Sequence, residues 1–426
     1  MAAQVTESVI IQNINSNIKI VAEPLTQYYS FALGLFLNYG SRDENKDNNG
    51  ITHLIEHMLF KGTSKRSALE IVRLIEGLGG SFDAFTTKES LVIVSRFLSE
   101  HLIKVFELIS EILLESKFGG EEFVREKSVI IEEIKSNNED PAEHIFDLLF
   151  EVLFREHPMG MPIAGTIESV SALDIKNVQN HYQDLLNCPM VVAVSGKFDL
   201  DELVEFAQKR FGRGGSFLLK RKSPGAYLPG EIHQTRKDIS QVHLCFGMPA
   251  VSYLSEQRHI VLLLSTMLGG GMSSRLFQGL REEKGLVYDV HSFVDFYCDC
   301  GIIGFYLSAD KKNLFEIIKA LKKIFGSIYS DRFSPEEIEI AKTYITGNFL
   351  LSLENSTNRM LRIGREVSYL NKIIPVEEVV NKIRGIGKKE IDDLTKEYLD
   401  LKKYAITAIG PIDDSLMKKI VNELRG

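Results

Sequence analysis

The chain has 426 residues, 44% of them hydrophobic, which is enough for large cores and a length that suggests two or three domains. A formal net charge of −8, with no basic run and no basic–aromatic stripe, argues against nucleic acid as a partner. No apolar run approaches the about 18 residues of a membrane span, and the scattered Cys188, Cys245, Cys298 and Cys300 read as reduced packing residues, so neither a membrane nor a disulfide framework is expected.

The first residues, Met-Ala-Ala-Gln-Val-Thr-Glu-Ser, lack a positive n-region and the Arg-rich character of a transit peptide, which makes the cytoplasm the expected location. Ser30–Phe36 is an alternating apolar segment that predicts a strand. Asp47-Asn48-Asn49-Gly50 then offers turn and N-cap chemistry. The apolar residues Ile51, Leu54, Ile55, Met58 and Leu59 predict a short buried helix, stopped by Gly62. That helix carries His53-Leu54-Ile55-Glu56-His57. Residues four apart share a helix face, so both imidazoles point one way, and Glu56, three after His53, joins them. Two imidazoles so spaced can hold one Zn²⁺, and a carboxylate beside them can handle the proton of an attacking water. The order H-x-x-E-H is read as a zinc hydrolase signature. On the blander reading, both His are hydrogen-bonded core residues. A catalytic zinc also needs a third protein ligand.

Gly79–Thr87 followed by Ser90–Ser95 reads as a turn and a strand hairpin. Gly120–Ser136 is rich in helix formers with apolar residues at helical spacing. Glu126 and Glu133 are seven apart and share a face with Val129 and Ile130, so Glu133 calls for a partner, of which a metal is one kind. The alternative makes Glu121, Glu122, Glu126, Glu132 and Glu133 surface charge on a long helix, and on the residues alone that is the preferred reading. His157–Gly160 and Ala164–Thr166 read as loop stabilisers.

Gly, Pro and basic residues cluster from Gly212 to Gly230. They predict domains at 1–212 and 232–426 joined by a linker at 213–231. The halves look like repeats of each other. Each opens with an apolar strand leading into a helix, the second at Gln241–Gly247. Each closes with a helix (Ile175–Leu186, Lys388–Leu399), a strand (Val191–Val194, Ala405–Ile409) and a further helix. Where the first half has H-x-x-E-H, the second reads Arg258-His-Ile-Val-Leu-Leu-Leu264. The Gly-rich segment Leu268–Leu276 is not a P-loop, so no nucleotide is expected there. Just beyond it, Arg281 and Tyr288 are donors suited to a carbonyl or an oxyanion. Strands mixed with long helices argue an α+β layer in each half.

Taken together, these residues resemble the pitrilysin/insulinase-like zinc peptidases, most of all the two-domain branch that includes mitochondrial processing peptidase. The family pattern is H-x-x-E-H followed, 76 residues after the second His, by a Glu ligand with another Glu seven before it. Here that ligand position is Glu133, and Glu126 falls on the supporting one. The resemblance spans essentially the whole chain. It implies Zn²⁺ held by His53, His57 and Glu133, with Glu56 as general base and Glu126 as a carboxylate that orients the site. It implies that Arg281 and Tyr288 reach an active site and steady an oxyanion. It implies that Asp83, Ala84, Phe85 and Thr86 lie on an exposed edge strand to which a peptide adds by main-chain hydrogen bonds, although many members carry Asn where this chain has Asp83.

The expected fold is two similar α+β domains, each a mostly antiparallel six-stranded sheet with helices packed on one face. Single-chain members of the family enclose a chamber between two halves of two domains each. This chain supplies one half, so a homodimer is expected, with a heterodimer of paralogues as the alternative. The expected function is a zinc endopeptidase that cleaves unfolded peptides or protein extensions inside that chamber. The rivals are a non-proteolytic, chaperone-like paralogue and a zinc hydrolase acting on something other than peptides.

Overall fold

Strand Ser30–Leu37 is Ser-Phe-Ala-Leu-Gly-Leu-Phe-Leu, apolar on both faces, and it is buried along nearly its whole length. A sheet with such a strand at its centre needs cover on both sides. That need shapes the architecture. The computed structural model describes residues 9–211 and 219–426, so residues 213–218 of the expected linker lie outside the described residues.

The chain opens with β1 (Ile10–Asn13), β2 (Ile18–Pro24) and β3 (Ser30–Leu37). Helices α1 (Ile51–Leu59) and α2 (Ala68–Gly77) precede the hairpin β4 (Ser81–Thr86) and β5 (Leu91–Leu98). Three longer helices follow: α3 (Leu102–Glu115), α4 (Gly120–Glu139) and α5 (Pro141–Phe154). Then come α6 (Ile167–Ala172), α7 (Ile175–Asn187), β6 (Met190–Gly196) and α8 (Leu200–Phe211). Beyond the linker stand β7 (Glu231–Thr235), β8 (Gln241–Ala250), α9 (Arg258–Gly269), β9 (Asp289–Phe296) and β10 (Gly301–Asp310). Helices α10 (Leu314–Asp331), α11 (Pro335–Ser352), α12 (Ser356–Leu370), α13 (Val376–Gly385) and α14 (Lys388–Tyr398) lead to β11 (Ala405–Gly410) and α15 (Asp414–Arg425).

Local chemistry explains several boundaries. Ser67 caps α2 in a reciprocal capping box with Glu70, and Asp174 does the same for α7 with Asn177. Asp140 caps α5 with Pro141 at its first position.

Two compact units result, and they are not contiguous halves. The first comprises Met1–Lys135, Met161–Lys222 and Leu350–Ile374, and the second Ser136–Gly160, Ser223–Phe349 and Pro375–Gly426. Helix α5 thus belongs with the later strands and α12 with the earlier ones.

In the first unit the sheet order is β1-β2-β6-β3-β5-β4, antiparallel except for the parallel β2–β6 pair. One face, with Phe31, Leu33, Leu35 and Ile93, packs against Leu54 and Met58 of α1 and the apolar sides of α3, α7 and α8. The other face presents Val21, Ala32, Phe36, Val92 and Val191, and α12 covers it with Met360, Ile363 and Val367.

In the second unit the order is β7-β11-β8-β10-β9, again antiparallel apart from one parallel pair, β7–β11. Leu244, Phe246, Phe305 and Ile406 face α9 and α10, while Cys245, Ile302 and Ile409 face Ile145, Leu149 and Val152 of α5.

The expected α+β architecture in two units is what the chain adopts. Two details differ. The second sheet has five strands among the described residues where six were expected, and helices lie on both faces of each sheet where one face was expected. The cause is the doubly apolar central strands, which leave an uncovered greasy face unless α5 and α12 occupy it.

The fit of α12 is close. A Cβ at Gly364 would lie 2.1 Å from the Phe36 ring, so only glycine lets the helix approach. Helix propensity alone would make Gly364→Ala stabilising by up to about 1 kcal/mol. Overpacking instead predicts a loss of about 1–3 kcal/mol. A lower urea midpoint for Gly364→Ala is the expected result, and a raised midpoint would refute the tight seat of α12.

Candidate metal centre

Helix α1 is almost wholly buried: Ile51, Thr52, Leu54, Ile55, Met58 and Leu59 are all inaccessible. Its first N–H groups therefore need protein acceptors. The expected cap segment, Asp47-Asn48-Asn49-Gly50, supplies the N-cap Gly50 and the Asn48 carbonyl, which accepts from the Ile51 N–H at 3.1 Å, but no side-chain cap of its own. Glu44, six residues before the Gly50 cap and itself buried, accepts from the Gly50 N–H at 2.8 Å and the Thr52 N–H at 2.9 Å. It also accepts from the Asn49 side-chain amide at 3.0 Å. Burial pushes the Glu44 carboxyl up to about 7, against the lowering effect of these hydrogen bonds. Gly50 takes a left-handed φ of +91°, and a Cβ there would lie 2.6 Å from the Ala164 carbonyl oxygen, so glycine is required at this turn. On the opposite side the Thr52 hydroxyl meets Nε2 of buried His181 at 3.0 Å.

With the helix so anchored, His53 and His57 lie edge to face, ring centroids 4.8 Å apart. Glu133 of α4 comes opposite them. His53 Nε2 is 3.9 Å from one Glu133 oxygen, and His57 Nε2 is 3.7 Å from the other. All three groups offer ligand atoms within 4.8 Å of one another. These separations are too long for hydrogen bonds. Burial and the neighbouring His57 push the His53 imidazole down to about 4, so at neutral pH its lone pair is free. Ligand atoms converging without a hydrogen bond between them suit a cation, and two imidazoles with one carboxylate suit zinc in particular.

Buried Glu126, two turns before Glu133, reaches His57 Nδ1 at 3.3 Å. A carboxylate there accepts from Nδ1 of His57, and in the neutral imidazole that tautomer turns the lone pair of Nε2 toward Glu133. The other Glu126 oxygen takes Lys61 Nζ at 2.8 Å, one turn beyond His57. The apolar-stripe argument for Glu133 does not hold in detail. Its side chain is 51% exposed and Val129 beside it is exposed too, so Glu126 is the buried acid of the pair.

Glu56 projects from the same helix toward strand β4 and accepts a 2.5 Å hydrogen bond from the Thr86 hydroxyl. Burial raises its carboxyl above the ordinary value, while Thr86 and His57 pull the other way. Strand β4 is an edge of its sheet, with Ser81, Asp83 and Phe85 outward and Phe82, Ala84 and Thr86 partly buried. Asp83 accepts from the Ala84 N–H next to it at 2.9 Å.

Arg281 and Tyr288 belong to the second unit. Arg281 sits in a π-helical turn over the Phe277 ring, and Tyr288 stands just before β9 with 73% of its surface exposed. Sequence reasoning missed Glu44, Lys61, His181 and the side-chain role of Thr86. Only Glu44 left a trace, as an acid in a polar turn before a helix that starts on glycine.

Against known proteins, the model for insulinase, peptidase family M16, matches residues 19–167, and that for the peptidase M16 inactive domain matches residues 175–345. An uncharacterized zinc protease of Mycobacterium leprae is 32% identical over 92% of this chain and 90% of its own. The chain belongs to the M16 peptidase family. A Bacillus subtilis zinc protease, YmxG, is 31% identical over 93% of this M16 chain and 97% of its own. Zn²⁺ is the cofactor these relatives share by name.

Among solved structures, a peptidase M16 inactive domain from Pseudomonas fluorescens superposes with a TM-score of 0.87 at 20% identity, covering 95% of this chain and 99% of that one. A Helicobacter pylori protease gives a TM-score of 0.85 at 18% identity, covering 95% and 100%. At those identities they speak for the fold alone. No helix among the described residues is long and apolar enough to cross a membrane.

His181 makes this M16 site acid-sensitive. Burial lowers its imidazole from 6.5 to about 4 in the folded state. The unfolded chain therefore binds the extra proton first, and stability is lost as pH falls through that window. Unfolding of the zinc-free protein, followed from about pH 7 to about pH 4, should lose up to about 3 kcal/mol through this residue. His181→Gln should flatten the decline. An unchanged pH slope in that variant would refute the assignment.

Proposed function

We propose that this M16 chain is a zinc endopeptidase acting on unfolded peptides or protein extensions. His53, His57 and Glu133 would hold the metal. The observation that carries the reading is the convergence of two Nε2 atoms and a carboxylate, with Glu126 against Nδ1 of His57. When bound, Zn²⁺ supplies Lewis acidity, polarising a carbonyl and acidifying water. Glu56, a carboxylate whose basicity burial raises, takes the proton from the attacking water and passes it to the leaving amine. Its neighbour Thr86 ends an open sheet edge, on which a peptide can lie by main-chain hydrogen bonding along Asp83, Ala84 and Phe85.

Glu56→Gln keeps the shape of the side chain and removes the base. Peptide cleavage should fall by at least about 100-fold, with zinc content unchanged. Glu133→Ala should lose zinc, whereas Glu132→Ala should not, because Glu132 points away and pairs with Lys135 at 2.7 Å. Near wild-type cleavage by Glu56→Gln would remove it as the base. Equal zinc content in both alanine variants would remove Glu133 as a ligand. A protein that binds peptides and zinc but cuts none would favour the non-proteolytic, chaperone-like alternative.

Arg281 and Tyr288 are, in this reading, the oxyanion donors of a partner copy in a C2 homodimer that closes a chamber. Both are exposed and carry the donors such a role needs. Mixing Glu56→Gln chains with Arg281→Ala/Tyr288→Phe chains, each nearly inactive alone, should restore part of the activity. Persistent inactivity after proven subunit exchange would show that each chain works by itself.

A further inference from the structure

Thr86 stands at the meeting of two functions. Its main chain ends β4, an edge strand of the first sheet, and its hydroxyl donates to Glu56 at 2.5 Å. A hydroxyl on a carboxylate at that distance is a charge-assisted bond, stronger than a neutral one. Ala84 and Phe82, two and four residues earlier on the same side of the strand, are partly buried and pack against the core, so the strand cannot turn Thr86 away without losing those contacts.

The turn that follows is tied down from several directions. The Thr87 hydroxyl bonds to the backbone of Ser90, the Ser41 N–H donates to the Thr87 carbonyl at 3.1 Å, and the Arg42 N–H donates to the Lys88 carbonyl at 2.8 Å. Buried Glu89 is paired with Arg42, and Lys88 Nζ donates to the Met161 carbonyl. Five consecutive anchors on one short turn leave Thr86 little freedom, which is what a group needs in order to fix another.

Glu56 needs such fixing. Its helix is short and its carboxylate is carried on a side chain with three rotatable bonds. Thr86 is the hydrogen-bond donor the structure places on it.

We propose that Thr86 is a positioning residue, holding the Glu56 carboxylate from strand β4 and thereby tying the base to the edge on which substrate lies. This rests on the peptidase reading for its functional half only. A peptide added to β4 then bonds to the same rigid strand that aims the base, so substrate and base share one frame. A misplaced base costs turnover rather than binding.

The experiment compares Thr86→Val, which keeps the shape and loses the donor, with Thr86→Ser, which keeps the donor. High-resolution crystal structures of the zinc-loaded proteins give the first readout. Glu56 should leave its position or split between rotamers in Thr86→Val and stay in place in Thr86→Ser. Kinetics on a quenched fluorescent peptide give the second. For Thr86→Val, kcat should fall by about 10- to 100-fold while KM changes little, and Thr86→Ser should recover most of the loss. Zinc content and unfolding midpoint should stay at wild-type values throughout. An unmoved Glu56 in Thr86→Val overturns the proposal, as does a loss carried by KM or one that serine does not rescue. If the wild-type protein cuts no peptide, the peptidase reading falls and the crystallographic arm still decides the role of Thr86.

Discussion

The first N–H groups of a buried helix have no water to turn to, and at the start of α1 a single carboxylate takes two of them while the Asn48 carbonyl takes that of Ile51. Glu44 bonds to Gly50 and Thr52, closing the start of the helix that carries His53, Glu56 and His57. The rest of the site depends on that anchor, because a nine-residue helix is too short to hold its own axis by internal bonding. Removing the acceptor would leave two buried donors unpaired at about 1–3 kcal/mol each. It would also release the axis on which both imidazoles are mounted. Burial opposes the ionised form of Glu44 and the N–H groups support it, so the anchor is itself a compromise between desolvation and hydrogen bonding.

From that anchor the site is assembled in shells of decreasing burial. Glu126 is buried and shared between His57 and Lys61, so it fixes an imidazole without facing the converging lone pairs itself. Glu133 is half exposed and reaches the same point from the next turns of α4. An exposed carboxylate keeps its charge at little cost, while a buried one needs partners to do so. The ligand candidate and its supporting acid therefore sit on opposite sides of that divide, seven residues apart on one helix.

How far the site was legible follows from the range of each signal. The spacing of His53, Glu56 and His57 is local and helical, so the sequence alone placed them on one face. Glu133 lies on another helix, and only the family pattern singled it out from Glu121, Glu122 and Glu132. Glu44 sits in a short 3₁₀ turn region with no periodicity, and its partners are backbone groups, which leave no mark in a sequence. Thr86 could be read as part of an edge strand, yet which face its hydroxyl meets is decided by sheet packing. The exchange of α5 and α12 was illegible for a related reason. An amphipathic helix such as Ser356–Leu370 declares an apolar face without declaring which sheet it covers.

The second unit shows what the same architecture does without the chemistry. Its corresponding helix, α9, begins on buried Arg258, whose guanidinium donates to the Tyr253 and Ser255 carbonyls and lies over the Tyr253 ring. The helix start is again tied to the preceding loop, now by a cation on carbonyls where α1 uses an anion on N–H groups. Val261, Leu263 and Leu264 then continue into the core. Burying a helix beneath such a sheet thus asks only for an apolar stripe and a tied beginning. The His-x-x-Glu-His face of α1 is an addition to that requirement, tolerated because the residues between its polar groups, Leu54 and Ile55, together with Met58, still meet it. Fold and candidate site are therefore separable in this chain: one unit keeps the packing solution alone, and the other adds the His-x-x-Glu-His face on the less buried side of the same solution.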